Sequence, residues 1–302
     1  MSRPLTQPVS PPPTRDGPTP RQLLAMRARG HAGFLTGATI LAVLAFVALA
    51  APLLAPHDPY AQDLSRRLIP PVWAENGSWE HVFGTDALGR DYFSRILYGA
   101  RVSLTIGLCA AVGSGIIGTA LGLLAGYYGG RIDSFVTFVV SVRLALPVVL
   151  VALAVVSIFG GRLWIVVAIL SLLLWDRFAV VVRAATQQLR SQEFVTAAVA
   201  MGAGAPRILL GELLPNLAGP LLVVASLEVG HAILLESALS FLGLGVQPPT
   251  PSWGLMVAES KGMIFFDARL IALPGAAIAL TVLAINLMGD GLRDILSPEG
   301  RA

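Results

Sequence analysis

Six stretches of this chain run for about twenty residues with almost no charge, which constrains the fold more than any other feature. A helix crosses a bilayer on roughly 20 apolar residues, because its N–H and C=O groups find no water there and must pair within the segment. The stretches are 34–55, 102–126, 135–159, 163–182, 217–240 and 270–289. Charged residues make up 13% of the 302, and mean hydropathy is +0.74. Soluble domains carry about a quarter charged residues. The sequence therefore predicts an all-α polytopic membrane protein with six transmembrane helices. The remainder suffices for loops and one modest extramembrane piece, not for a second soluble domain.

Turn chemistry separates the stretches: Gly126 with Gly129-Gly130, Gly160-Gly161, and Pro248-Pro249-Thr250-Pro251. Pro147 falls inside the third and should kink it, or mark backbone that lines a cavity. Residues 1–33 are polar and Pro-rich and read as a disordered cytoplasmic tail. Residues 34–55 read as the first transmembrane anchor. The charged tail and the apolar run are too long for a cleaved signal peptide, although Ala48-Leu49-Ala50 resembles a cleavage site. Residues 56–100 form the one sizeable loop. Leu88, Tyr92, Phe93, Ile96 and Leu97 predict a short amphipathic helix at the membrane surface near its end. Asp86 is its expected cap, and Asp86, Arg90 and Asp91 read as a solvated face. Residues 101–302 make a five-helix core.

With the amino terminus inside, twelve Lys and Arg residues, Arg177 among them, fall in inner segments and seven in outer ones. That favours two cytoplasmic termini. The single cysteine, Cys109, excludes an intrachain disulfide. The single lysine, Lys261, is followed by Gly262-Met263, so no G-x-x-x-x-G-K-[ST] phosphate loop exists here. If transport is ATP-driven, the ATPase is another polypeptide. The surplus of arginine is a topology signal and does not point to nucleic acid.

One segment, 183–216, is too polar to span. It reads as a short helix over Glu193–Met201, broken by Gly202, Gly204 and Pro206, then resuming over Arg207–Leu214 before Pro215. A helix lying across the membrane surface can seat in a partner's groove and pass rigid-body motion to the spans it joins. From the residues alone the plainer reading, an ordinary cytoplasmic loop, takes precedence over docking.

The segment resembles the EAA loop of permease subunits in binding-protein-dependent ABC importers. The pattern is E-A-A, three residues, G, nine residues, I-x-L-P. Ala197-Ala198, Gly202 and Leu214-Pro215 match it at that spacing, while Thr196 stands at the Glu position and Glu212 at the Ile position. Glu193 lies one turn before the motif. Two longer stretches, FGTDALGRDYFSRILYGARVSL (83–104) and ESALSFLGLGVQPPTPSWG (236–254), resemble the dipeptide/oligopeptide/nickel branch, in its second paired permease subunit. Members of that branch often carry Arg and Asp near Phe138 and Ser141; this chain has Arg143 nearby.

The resemblance implies the type I ABC importer permease fold in a bacterial cytoplasmic (inner) membrane. It implies a second permease subunit, two ABC ATPase subunits or domains holding ATP and Mg, and an extracytoplasmic solute-binding protein as partners. The chain itself would bind no cofactor and catalyse nothing. A coupling helix would sit in the ATPase cleft, with Glu193, Thr196, Ala197, Ala198, Gly202, Ala203, Leu214 and Pro215 as the loop residues. The cargo would be a di- or oligopeptide or a related small solute.

Glu228, His231 and Glu236 lie in the fifth apolar stretch. At 100° per residue they fall on one side of a helix. Two readings stay open: a polar patch along the translocation pathway, or interhelical hydrogen bonding. Metal ligation is disfavoured, since their spacing is no H-E-x-x-H and no cysteine joins them. Arg143 is expected to snorkel to the cytoplasmic interface, and Trp253 to anchor at the interface. The competing function is a stand-alone secondary transporter driven by an ion gradient, but the halves show no internal repeat.

Overall fold

The computed structural model describes residues 20–296. Among them the chain is helical with no strand; the one β-type contact is an isolated bridge between Thr85 and Asp91. The run of prolines stops at Pro20, which takes the first turn of α1 (Pro20–Gly30). Proline is tolerated there because that N–H has no intrahelical partner anyway. The last third of the expected tail is thus helix, and residues 1–19 lie outside the described residues.

α2 (Ala32–Leu54) is the first uncharged span. His31 caps it, its Nδ1 accepting from the Phe34 N–H at 3.1 Å. A loop with a 3₁₀ turn at Leu64–Arg66 leads to α3 (Tyr92–Tyr128), a continuous helix of 37 residues. The separate amphipathic surface helix expected before residue 100 does not exist. Nothing between Leu97 and Val102 breaks the helix, so those turns are simply the start of the second span. Tyr92 and Leu97 are buried against protein. Asp91, not Asp86, is the cap: its carboxylate accepts from the Ser94 N–H at 2.8 Å.

The third span is two helices, α4 (Gly130–Ala145) and α5 (Val148–Phe159), meeting at 86°. Pro147 causes the break. It lacks an N–H and drives Leu146 out of the helical region, to φ −91 and ψ 130. The fourth span is also interrupted, at Leu174-Trp175, between α6 (Leu163–Leu173) and α7 (Asp176–Arg190). The cytoplasmic-type segment follows as α8 (Glu193–Ala200), α9 (Ala205–Arg207), a π-helical turn at Ile208–Leu213, and α10 (Leu214–Asn216). α11 (Ala218–Phe241) and α13 (Arg269–Leu296) are the last two spans, with α12 (Trp253–Ser260) and a 3₁₀ turn at Lys261–Met263 between them. Among the described residues five helical runs are long and apolar enough to cross a membrane, and α4 with α5, counted as one bent span, makes a sixth.

Small residues let the spans approach closely, since apolar surface gives helices little drive to associate in lipid. Gly118, Gly122 and Gly126 form one stripe of α3 against α7. A Cβ on Gly118 would lie 2.2 Å from the Trp175 carbonyl oxygen, and one on Gly122 2.7 Å from that of Ala179.

The bundle has two distinguishable ends. At one, the Arg269 guanidinium donates to the carbonyls of Phe83, Ile69 and Thr85, and Gly161 lies against Gly245. At the other, His31 Nε2 meets Asp294 at 3.1 Å, and Arg190 donates to the Tyr127 carbonyl at 2.7 Å. The described termini and the 191–217 segment therefore share one end, as six spans require.

The loop charges expected to be solvated are buried. Asp86 accepts from Arg90 Nε at 2.6 Å, and both Arg90 and Arg95 donate to Glu259, at 3.0 and 2.6 Å. Arg95 is 1% exposed. This network clamps the start of α3 to α12. Trp253 is likewise no interfacial anchor. It is 1% exposed, its indole N–H donates to the Ile96 carbonyl at 3.1 Å, and Gly99 leaves the space its ring fills. Trp253→Phe removes that donor and part of the ring. It should destabilise the folded protein by about 1–2 kcal/mol, readable as a lower melting temperature in detergent.

Candidate functional site: a coupling loop and an intramembrane charge cluster

α8 is amphipathic in an unusual way. Val195 and Ala198 point into the bundle and pack with Leu123, Val182, Ile208, Leu213 and Leu217. The opposite face is also largely apolar: Phe194, Val199 and Met201 are exposed, Met201 at 81%. Thr196 and Ala197 share that outer face with Glu193. Such a helix, with one apolar face seated and a second one bare, presents the kind of apolar patch that marks interaction sites. The motif spacing pointed to α8, but the outer residues Phe194, Val199 and Met201 were missed. Their signal was the absence of a polar face in a segment too short to span.

Gly202 ends α8. Its φ is +83, its N–H bonds the Val199 carbonyl at 2.9 Å, and the next N–H, of Ala203, reaches back to the Ala198 carbonyl at 3.0 Å. Those two bonds make a Schellman cap, which needs a left-handed residue at this position. No neighbouring atom lies within 4 Å of where a Gly202 Cβ would be, so backbone conformation rather than space calls for glycine. Thr196 Oγ1 donates back to the Gln192 carbonyl at 3.3 Å, within its own helix turn. The helix does not stop before Pro215: the π-helical turn over Ile208–Leu213 carries the chain through Leu214-Pro215 into α10. Leu214 is half-buried against the same cluster and Pro215 is exposed. Glu212, at the Ile position of the motif, is half-exposed; its backbone carbonyl accepts from Asn216 at 2.7 Å.

A second constellation lies among the spans. Glu228 is fully buried and pairs with Arg177 Nη1 at 3.1 Å; His231 Nδ1 lies 3.4 Å from its other oxygen. Glu236 is separate. Its carboxylate accepts from the Ser240 and Ser252 hydroxyls at 2.7 and 2.9 Å, tying α11 to the start of α12. The three residues thus do not form one patch.

Arg177, counted among inner loop charges, belongs with Glu228 among the spans. Arg143 does not snorkel. Its guanidinium donates from Nε to the Leu173 carbonyl at 2.7 Å and lies 3.4 Å from Asp176. It thereby bridges the two helix breaks, α4/α5 and α6/α7, where backbone carbonyls lose their helical partners. Asp176, Arg177 and Glu228 line one side of a cavity of about 360 Å³ with Leu144, Val180 and Val224. Sequence reasoning found Glu228 and His231 but not their partners, although Asp176 and Arg177 are the only charges inside the fourth apolar stretch.

The chain matches two known families. Residues 118–301 match "Binding-protein-dependent transport system inner membrane component", and residues 19–71 match "N-terminal TM domain of oligopeptide transport permease C". Among curated relatives, the di/tripeptide transport system permease protein DppC of Pseudomonas aeruginosa is 44% identical over 267 residues, 88% of each chain. The dipeptide transport system permease protein DppC of Escherichia coli K12 is 42% identical over 281 residues, 93% of this chain and 94% of that protein. The inward-facing structure of the MetNI methionine ABC transporter superposes with a TM-score of 0.56 over 67% of this chain and 97% of that one, at 18% identity, which establishes the shared fold. The chain belongs to the binding-protein-dependent transport system inner membrane component family and is a multi-pass ABC importer permease of the type I fold.

Proposed function

We propose that this permease carries di- or tripeptides inward, and that α8 is the element through which a separate ATPase drives it. The family places ATP hydrolysis on other subunits and substrate capture on a binding protein. The finer assembly, a second permease chain beside this one and two ATPases beneath in a lipid bilayer, is our reading. So is an orientation with both termini and α8 in the cytoplasm. The chain holds no cofactor of its own in this scheme and performs no covalent chemistry. The single observation that carries the coupling role is the bare apolar face of α8, ending at a left-handed glycine in register with the EAA spacing.

The mechanism follows from packing. α8 is seated on the bundle by Val195 and Ala198, so displacing it displaces α7, α10 and α11 with it. A closing ATPase that grips the outer face then moves rigid helices, not a flexible loop. Peptide selectivity is supported by the named transport of relatives that this chain matches nearly end to end. The half-exposed His231, held beside Glu228, offers a polar contact to the passing peptide. No observation favours an ion-gradient transporter.

The test is purification from the native membrane in mild detergent, followed by reconstitution with whatever co-purifies. An ATPase and a second permease should accompany the chain. Labelled dipeptide uptake should then require both ATP and the binding protein. Uptake driven by an ion gradient with this chain alone would refute the proposal.

A further inference from the structure

The loop between α2 and α3, at the bundle end opposite α8, holds a group of side chains that the importer function leaves unused. His57 follows α2, and its ring centroid lies 4.7 Å from that of His81. One donor atom each from His57, Glu80 and His81 falls within 4.8 Å of the others. His81 is 6% exposed, and its Nε2 is buried with no hydrogen-bond partner; His57 Nδ1 is also buried, makes no hydrogen bond, and lies 3.7 Å from the Asp91 carboxylate. A buried imidazole nitrogen such as His81 Nε2, with no hydrogen-bond partner, costs free energy unless something meets it.

The surroundings orient these groups as a metal site would. His81 Nδ1 lies 2.8 Å from the Asp91 carboxylate. That contact fixes the tautomer with the proton on Nδ1 and the lone pair on the unpartnered Nε2, the carboxylate–histidine–metal arrangement. Asp91 is itself fixed as the cap of α3, and the Ser94 hydroxyl accepts from the His57 N–H at 3.2 Å. The frame is thus rigid on the α3 side. Glu80 is exposed on the solvent side, with one oxygen held by Arg66. The Asp91 carboxylate lies against both imidazoles, and Glu80 pairs with Arg66.

We infer that His57, His81 and Glu80 bind a divalent transition-metal ion of the zinc class, with Asp91 orienting His81 from behind. Two imidazoles and one carboxylate form a donor set zinc accepts, with a fourth position left for water. Nickel and copper compete for such donors, and hard ions such as calcium or magnesium do not suit them. The donors must draw in by about 1 Å to reach zinc–nitrogen and zinc–oxygen distances, a movement the exposed Glu80 side chain can supply. The bound ion would tie the exit of α2 to the start of α3. The inference does not depend on which solute is transported.

The full chain, purified with a tag that lacks histidine and stripped with a chelator, is titrated with Zn²⁺ against a chromogenic competitor. One ion per chain at low-micromolar affinity or tighter is expected. X-ray absorption of the loaded protein should show two imidazoles. His57→Gln and Glu80→Gln should each weaken binding by at least tenfold, and Asp91→Asn, which spares all three donors, by about 10–100-fold. His81→Gln should abolish it. Should that buried variant fail to reach the membrane, the His57 and Glu80 variants decide alone. No stoichiometric zinc, or zinc binding unchanged in His57→Gln, would overturn the inference.

Discussion

Gly202→Pro should reduce peptide uptake by more than tenfold while leaving the amount of protein in the membrane within about twofold of the parent. Proline locks φ near −65°, whereas this residue sits at +83. The substitution also removes the N–H that bonds the Val199 carbonyl. The Schellman cap is lost, and the chain must leave α8 in another direction. The damage is local, because nothing packs on Gly202. Gly202→Ala is the graded control: a left-handed alanine costs roughly 1–2 kcal/mol without deleting the N–H, so uptake should fall less. Ala198→Trp tests the same element from its inner face. Ala198 is 4% exposed among Val182, Ile208 and Leu213, and an indole there lifts α8 off its seat. Uptake assayed with membrane content, and ATP hydrolysis by the assembled complex, separates uncoupling from misfolding. Normal uptake by Gly202→Pro would remove the elbow from the mechanism.

Much of this was legible because lipid simplifies the code. Six apolar stretches gave six spans, with limits that differ from the observed helices mainly where a helix runs on beyond its apolar part. α3 shows the difference best. Its first turns carry Arg95 and Arg101, and Arg101 ended the apolar stretch by composition; Arg95 is neutralised by Glu259 and Asp91 caps the first turn, so the helix starts well before that stretch. The 86° break at Pro147 was legible from stereochemistry alone. Trp253 was misplaced because an aromatic beside a proline cluster has the composition of an interfacial residue, and only the cleft made by Gly99 tells otherwise. Gly202 was singled out through spacing, and its φ of +83 is the left-handed conformation that glycine favours. The outer face of α8 was missed because hydrophobic patterning reports burial within one chain, and Val199 and Met201 are apolar without being buried in it. The partners of Glu228 and Arg143 stayed hidden for a simpler reason: pairing across spans depends on helix rotation and depth, which one sequence does not display.

Arg143 yields the other large effect, and its logic differs from that of the elbow. Arg143 and Asp176 have side-chain exposures of 15% and 6%, so each desolvates the other's charge. Removing one partner leaves an uncompensated charge, which costs about 3–5 kcal/mol in buried pairs. Arg143→Met should therefore destabilise the protein by about that amount, since it also strips the Leu173 carbonyl of its donor where α6 ends. Asp176→Leu alone should lie in the same range. The double variant should recover part of the loss, because an apolar pair of similar volume needs no desolvation. Its recovery should be incomplete: methionine cannot donate to the Leu173 carbonyl, and that break in the fourth span remains. Thermal denaturation of the four proteins in one detergent measures the cycle. Strict additivity would mean that the two side chains act independently, and that the helix breaks at Pro147 and Leu174 are held together without their pairing.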